Sequence, residues 1–287
     1  MASYVPSQQE ERQRMLRTLG LERVEELFGA IPPQMLIQGL GLPPGSPELV
    51  VRRQMQALAA ENKRFPVIFR GAGAYAHFIP AIVRSAAGKE QFITAYTPYQ
   101  AEISQGILQS IFEFQTMICR LTGMDCANAS VYDGASAAAE AVNLCRERKR
   151  NRAYISAAAH PMVIETIRTY CYGNGIQVEL APMRGGRTDP AALAAMLGED
   201  AACLYVQQPN YYGVIEDAVA LGQAVHQAGG KYIIGFNPIA AAILKTPAEC
   251  GADVAVGEGQ PLGLPLAFGG PYLGLMAVRQ ELMRRLP

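Results

Sequence analysis

Lysine is scarce in this chain, and the few present are Lys63, Lys89, Lys149, Lys231 and Lys245. The other basic residues are arginines, and lysines and arginines together are matched one for one by acids, 25 against 25. A net charge of zero lacks the basic surplus that nucleic acid or an anionic membrane would call for. No run approaches the ~20 apolar residues of a membrane helix. The opening, Met1 to Arg14, is polar and does not read as a secretory signal. Cys119, Cys126, Cys145, Cys171, Cys203 and Cys250 are scattered without a C-x-x-C pair, which points to reduced thiols and a cytoplasmic protein. His77, His160 and His226 are too dispersed to suggest a metal site. What is abundant is apolar residue: half of 287 positions, enough for one large domain with a substantial core.

The first 60 residues read as a helical arm. Ser7 and Glu10 have capping-box spacing ahead of a helix through Leu19, stopped by Gly20. A short helix over Leu21 to Phe28 follows. After a Pro/Gly-rich stretch, Ser46 and Pro47 open another helix, with Met55, Leu58 and Ala59 on a possible buried side. Such arms more often clasp a partner or a neighbouring domain than fold alone.

Beyond the arm, residues 61–287 read as one large domain. Leu108, Ile111, Phe112, Ile118 and Leu121 recur at helical spacing from Gln105 to Thr122, and Gly123 ends that helix. Short apolar runs then alternate with helical stretches. Strands are expected at 129–132, 153–157, 176–180, 203–206, 232–236, 254–256 and 272–278. Helices are expected at 136–146, 162–170, 190–197 and 217–228. Alternation of this kind predicts an α/β fold with a mostly parallel sheet covered on both faces, and ligands at the C-terminal strand ends. The chain stops just after a strand and a helix start, which reads as a cut within an architecture.

Several segments could carry chemistry. Tyr96-Thr97-Pro98-Tyr99-Gln100-Ala101-Glu102-Ile103-Ser104-Gln105-Gly106 concentrates aromatic, hydroxyl, amide and carboxylate groups at a helix mouth. It suits a small polar ligand, or its tyrosines are half-buried packing residues. Asp133-Gly134-Ala135-Ser136 follows a strand and opens a helix. Its amides could cradle a phosphate, or Asp133 or Ser136 simply caps the helix. His160 could stack on a flat cofactor or be a satisfied, partly buried histidine. Asn210 could bind a ligand oxygen or hold its own turn. Glu258 is a possible buried acid or part of a structural loop.

The Tyr96–Gly106 run, Phe112-Glu113-Phe114-Gln115-Thr116-Met117-Ile118-Cys119, the run Ala127 to Ser136, Gly257-Glu258-Gly259-Gln260-Pro261 and Phe268-Gly269-Gly270-Pro271-Tyr272 together resemble the glycine cleavage system P-protein family. The resemblance is strongest to the lysine-less subunit of its two-chain bacterial form, here without most of the C-terminal small domain. It implies the fold type I architecture of pyridoxal-phosphate enzymes. It also implies glycine dehydrogenase (aminomethyl-transferring) chemistry: glycine is decarboxylated and its aminomethyl group passes to the lipoyl arm of the H-protein. In that fold a Schiff-base lysine follows a late strand, where this chain has Gln260-Pro261, and Asn237 stands about where an aspartate pairs with the pyridinium. The resemblance therefore implies that pyridoxal phosphate is held covalently by a lysine-bearing partner subunit, with this chain inactive by itself. Tyr96, Thr97, Tyr99, Gln100, Ser104 and Gln105 would line the partner's pocket. Gly134, Ala135, Ser136 and His160 match cofactor-site positions, as a working site or as a relic. Two alternatives remain: a self-sufficient enzyme using Lys231 or a helical Lys245, and a non-catalytic scaffold.

Overall fold

The structure is a computed structural model. It describes residues 8–37, 39–69, 73, 75–93, 95–98, 100–267 and 269–287, with the backbone alone at Ala101. It divides into two compact units, Met1–Ile68 and Phe69–Pro287.

The first unit holds helix α1 (Gln9–Thr18), two 3-10 turns (Val24–Phe28 and Pro33–Met35) and helix α2 (Glu48–Ala60). Ser7 lies outside the described residues, and the residue preceding α1 is Gln8, which makes no side-chain cap. The second expected helix is the 3-10 turn Val24–Phe28. Ser46 is not the cap of α2: Pro47 holds that place, and no side chain bonds the free amides. Met55, Leu58 and Ala59 are exposed rather than buried. A local propensity for helix set these segments, whereas burial needs a surface to pack on, and α2 buries no residue.

The second unit begins with α3 (Ala81–Ala87) and α4 (Glu90–Ile93), then the long α5 (Ala101–Thr122). Helix α5 starts four residues before the apolar stripe does, bends at Ser104 and ends on left-handed Gly123. Ile118 is buried, but Phe112 is exposed. After it come strand β1 (Cys126–Ala127), helix α6 (Gly134–Cys145), strand β2 (Arg152–Ser156), helix α7 (Pro161–Asn174) and strand β3 (Gln177–Ala181). A small hairpin of β4 (Met183–Arg184) and β5 (Arg187–Thr188) precedes α8 (Pro190–Met196). Strand β6 (Ala201–Gln208), helix α9 (Ala218–Gln227), strands β7 (Lys231–Phe236), β8 (Val254–Glu258) and β9 (Gly274–Val278), and the 3-10 helix Gln280–Arg285 complete it.

The main sheet runs β1-β9-β8-β7-β6-β2-β3. Strands β3, β2, β6, β7 and β8 are mutually parallel, β9 runs antiparallel to β8, and β1 pairs antiparallel with β9. The change of direction follows from the connection. No α-helix separates β8 from β9, so the chain returns along the neighbouring edge. The 129–132 stretch contributes only a bridge from Val131 to Gly274.

The sheet is covered on both faces, and strand alternation sorts its side chains between two cores. Ile155, Cys203, Tyr205, Ile233 and Val256 pack with α6 and α7; Tyr154, Leu204, Val206, Tyr232 and Ile234 pack with α5, α8 and α9. Adjacent residues on one strand thus serve opposite cores, which explains why β6 reads as an unbroken apolar run. Each large side chain buried here contributes roughly 1.5–3 kcal/mol. No helix among the described residues is long and apolar enough to cross a membrane.

Candidate functional site

Because β2, β6, β7 and β8 are parallel neighbours, their C-terminal ends form a row along one edge of the sheet. His160, Gln207 and Gln208, Asn237 and Glu258 follow or close those strands. This is where an open α/β sheet presents its ligand-binding loops.

At one end of the row, Gly134 opens α6. Its amide donates to Oε2 of Glu258 at 2.9 Å. The other oxygen of Glu258 accepts from the amides of Gln260, at 2.9 Å, and Leu273, at 3.0 Å. Asp133 caps the same helix, accepting from the Ser136 amide at 2.7 Å. The glycine has a local reason: a Cβ on Gly134 would lie 3.0 Å from the Cβ and amide nitrogen of Glu258. Gly134-Ala135-Ser136 thus has the form of a phosphate cradle, but two carboxylates of this chain already accept from the amides of Gly134 and Ser136. A further anion brought within ~4 Å of a carboxylate meets roughly 4 kcal/mol of repulsion near a protein surface. A helix N-terminus offers an anion only about 0.3–1 kcal/mol in return. A cleft of about 660 Å³ opens beside this turn, lined by Asp133, Ser136, Glu140 and the rings of Tyr132, Tyr170 and Tyr272 among others. Its carboxylates make it no more hospitable to a phosphate.

Asn237 is also engaged. Its Oδ1 accepts from the amides of Ile239 at 2.9 Å and Ala240 at 3.0 Å, closing the turn Ala240–Ala242. The place after β8 holds Gln260, which is buried and donates to the Leu264 carbonyl. The fit of pyridoxal phosphate to these residues fails on each count. Two amides of the turn are already taken, Asn237 carries an amide rather than a carboxylate, and no amine follows β8. Lys231 is the first residue of β7, at the opposite end of the sheet, and pairs with Asp253 at 4.0 Å. Lys245 lies in a loop and not in a helix, because the helical turn before it ends at Ala242.

His160 caps α7: its Nδ1 accepts from the Met162 amide at 3.1 Å, and its own amide donates to Gln207 Oε1 at 2.8 Å. Its ring meets the edge of Tyr211 with centroids 4.9 Å apart. Gly73, at φ +86°, lies so close to the imidazole that a Cβ there would sit 2.6 Å from Cδ2 and Nε2.

Tyr99 lies outside the described residues. Tyr96 is 90% exposed and Gln105 is exposed, while Thr97 and Gln100 are half-buried. Ser104, at the bend of α5, is buried. The hydroxyls of Thr97 and Ser104 are enclosed and lack a hydrogen-bond partner, a state that is rare and costly for a buried polar atom.

One buried polar cluster has no counterpart in the sequence reading. Glu216 is buried and accepts from the Thr188 amide at 3.0 Å, the Thr188 hydroxyl at 3.2 Å and Asn210 Nδ2 at 2.9 Å. Asn210 also donates to the Gly186 carbonyl and accepts from the amides of Tyr212 and Val214. Asn210 therefore holds its own turn, and with it Tyr211 beside His160. The one available signal was a glutamate beside the helix-capping Asp217, too common a pattern to single out.

The whole chain, residues 2–287, matches the family model described as glycine cleavage system P-protein. A protein of Geobacillus thermodenitrificans named probable glycine dehydrogenase (decarboxylating) subunit 1 is 46% identical over 288 residues, covering 99% of this chain and 64% of the relative. A protein of the same name from Syntrophomonas wolfei is 46% identical over 99% of this chain and 66% of the relative. The chain thus spans about two thirds of the length of these relatives. A crystal structure of glycine decarboxylase (P-protein) of the glycine cleavage system, in inhibitor-bound form, superposes on all of this chain and 65% of its own, with a TM-score of 0.91 and 40% identity. A sphingosine-1-phosphate lyase of Burkholderia pseudomallei shares the fold at 14% identity, with a TM-score of 0.67 over 88% of this chain.

Proposed function

This chain belongs to the glycine cleavage system P-protein family, with the fold type I architecture, and from that premise we propose that it is the lysine-less subunit of a two-chain glycine decarboxylase. The assembled enzyme decarboxylates glycine and hands the aminomethyl group to the lipoyl arm of the H-protein. A second subunit supplies the lysine and holds pyridoxal phosphate, and this chain completes its pocket from outside. The arm (1–60) clasps that subunit, and the complex works in the cytoplasm.

The observation that carries this reading is the turn at α6, where Glu258 and Asp133 already take the amides of Gly134 and Ser136. A chain so built is poorly suited to hold the cofactor itself. Its remaining chemical resource is the segment before α5. There Tyr96 presents its ring to solvent, and Thr97 and Ser104 keep two enclosed hydroxyls without partners. A ligand or a neighbouring subunit that reached them would relieve an unmet hydrogen bond, worth about 1–3 kcal/mol each.

The test is a cofactor titration followed by absorbance, first with this chain alone and then with a lysine-bearing partner subunit. The expected result is a cofactor band only in the mixture, together with glycine-dependent exchange of carbon dioxide. A band from this chain alone would overturn the shared-site reading. In the complex, Tyr96→Phe or Gln100→Ala lowers turnover without unfolding the protein; normal activity in both returns the segment to a packing role.

A further inference from the structure

The end of the sheet opposite the row of strand C-termini carries a different feature. Two segments far apart in sequence meet there: the loop from α6 to β2, residues 146–151, and the 3-10 helix Gln280–Arg285 that follows β9. Both sit at the N-terminal ends of the parallel strands, since β9 runs antiparallel and finishes where β8 begins.

The loop is tightly built. Glu147 and Arg150 exchange both backbone hydrogen bonds, at 3.0 and 3.1 Å, so Arg148 and Lys149 sit at the tip of a closed two-residue turn. Arg150 is planted beneath it, donating to the carbonyls of Ala228 at 2.8 Å and Ala201 at 3.2 Å. The second segment is pinned to the first by Arg285, whose Nη2 donates to the Arg146 carbonyl at 2.6 Å. Arg279 secures its start through the Ala252 carbonyl at 2.8 Å.

The result is a fixed platform carrying Arg146, Arg148, Lys149, Arg284 and Arg285, all exposed. None of the five has a carboxylate within ion-pair distance among the described residues. The two acids in these segments are Glu147 and Glu281, so the patch is cationic on a chain whose net charge is zero. Arg148 on the closed turn and Arg284 on the pinned 3-10 helix each carry a fork that can meet a carboxylate with two parallel bonds.

We propose that this face is a docking surface for an acidic protein, one that presents a cluster of carboxylates. Nucleic acid is the poorer fit. Neither segment carries an aromatic ring on which a base could stack, and the interspersed Glu147 and Glu281 would oppose a continuous run of phosphates.

The experiment measures fluorescence anisotropy of a labelled all-glutamate peptide titrated with the full chain at about 50 mM salt, where charge attraction reaches beyond about 10 Å. Three variants are compared. The wild type is expected to bind saturably. Arg148→Gln/Lys149→Gln/Arg284→Gln is expected to bind about tenfold more weakly, since each exposed pair contributes a factor of roughly two to five. Among the described residues these three side chains make no hydrogen bond, and an unchanged thermal transition verifies that the variant is intact. Arg12→Gln/Arg14→Gln/Arg17→Gln on α1 removes the same charge elsewhere and should bind as the wild type does. The proposal fails if the wild type shows no saturable binding, or if the α1 variant weakens as much as the patch variant. It also fails if a single-stranded oligonucleotide or a phosphatidylserine vesicle binds the patch more tightly than the peptide does.

Discussion

Replacing Glu258 tests most directly whether the turn at α6 is filled from within. In Glu258→Gln, the side-chain oxygen keeps the amides of Gln260 and Leu273, and the new NH2 group faces the Gly134 amide, donor against donor. One bond to a charged acceptor is lost outright, at about 1.5–3 kcal/mol. For a unit of 219 residues, Phe69–Pro287, each kcal/mol moves the melting temperature by about 2–4 °C, so a fall of about 3–12 °C is expected. Glu258→Ala strips all three amides of their acceptor and should cost more. It also opens the helix N-terminus, so inorganic phosphate should raise the melting temperature of Glu258→Ala and leave the wild type unmoved. Differential scanning fluorimetry with and without phosphate reads both effects. If Glu258→Gln melts within 1 °C of wild type (a tolerance of roughly 0.5 kcal/mol), or if phosphate stabilises the wild type, the filled-cradle argument is wrong.

Two other buried carboxylates yield separate predictions. Burial alone would push the Asp253 carboxyl up, but hydrogen bonds from His226 at 2.8 Å and the Tyr232 amide at 2.7 Å, with the positive charge of His226 and Lys231, hold it below its ordinary 3.8. A lowered folded pKa contributes stability that is present above the unfolded value and lost as pH falls through the folded one. Asp253→Asn is therefore expected to melt below wild type at pH 7, with the gap closing only as pH falls below about 4; a constant gap would contradict it. Glu216→Ala leaves the Thr188 amide without its buried acceptor and should lose roughly 2–5 kcal/mol in urea unfolding, whereas a loss under 1 kcal/mol would show that the cluster is not structural.

Much of the large unit was legible from sequence because its signals are local. Left-handed Gly123 ends α5 and Gly175 ends α7, Pro161 and Pro190 open helices at their first positions, and Asp133, Asp189 and Asp217 each cap one with a side-chain bond. The arm misled for the opposite reason. Met55 and Leu58 have helical spacing and sit in a helix, but spacing reports only which residues share a face. Phe112 shows the same limit within α5, where the stripe continues past the surface it packs on.

The site divides along the same line. The chain's composition and order were sufficient to exclude an amine after β8 and a carboxylate at Asn237, because a side chain's chemistry needs no coordinates. They left Gly134-Ala135-Ser136 open between a phosphate cradle and a capped helix, and Glu258 open between an acid and a loop. Folding adds what the sequence lacked, by bringing residues 134 and 258, 124 positions apart in the chain, to adjacent ends of α6 and β8. The same holds for Glu216 with Thr188, and for Arg285 with Arg146. A hydrogen bond acts over about 3 Å, and only the parallel sheet, by ordering β8, β7, β6 and β2 side by side, decides which distant residues come within that reach.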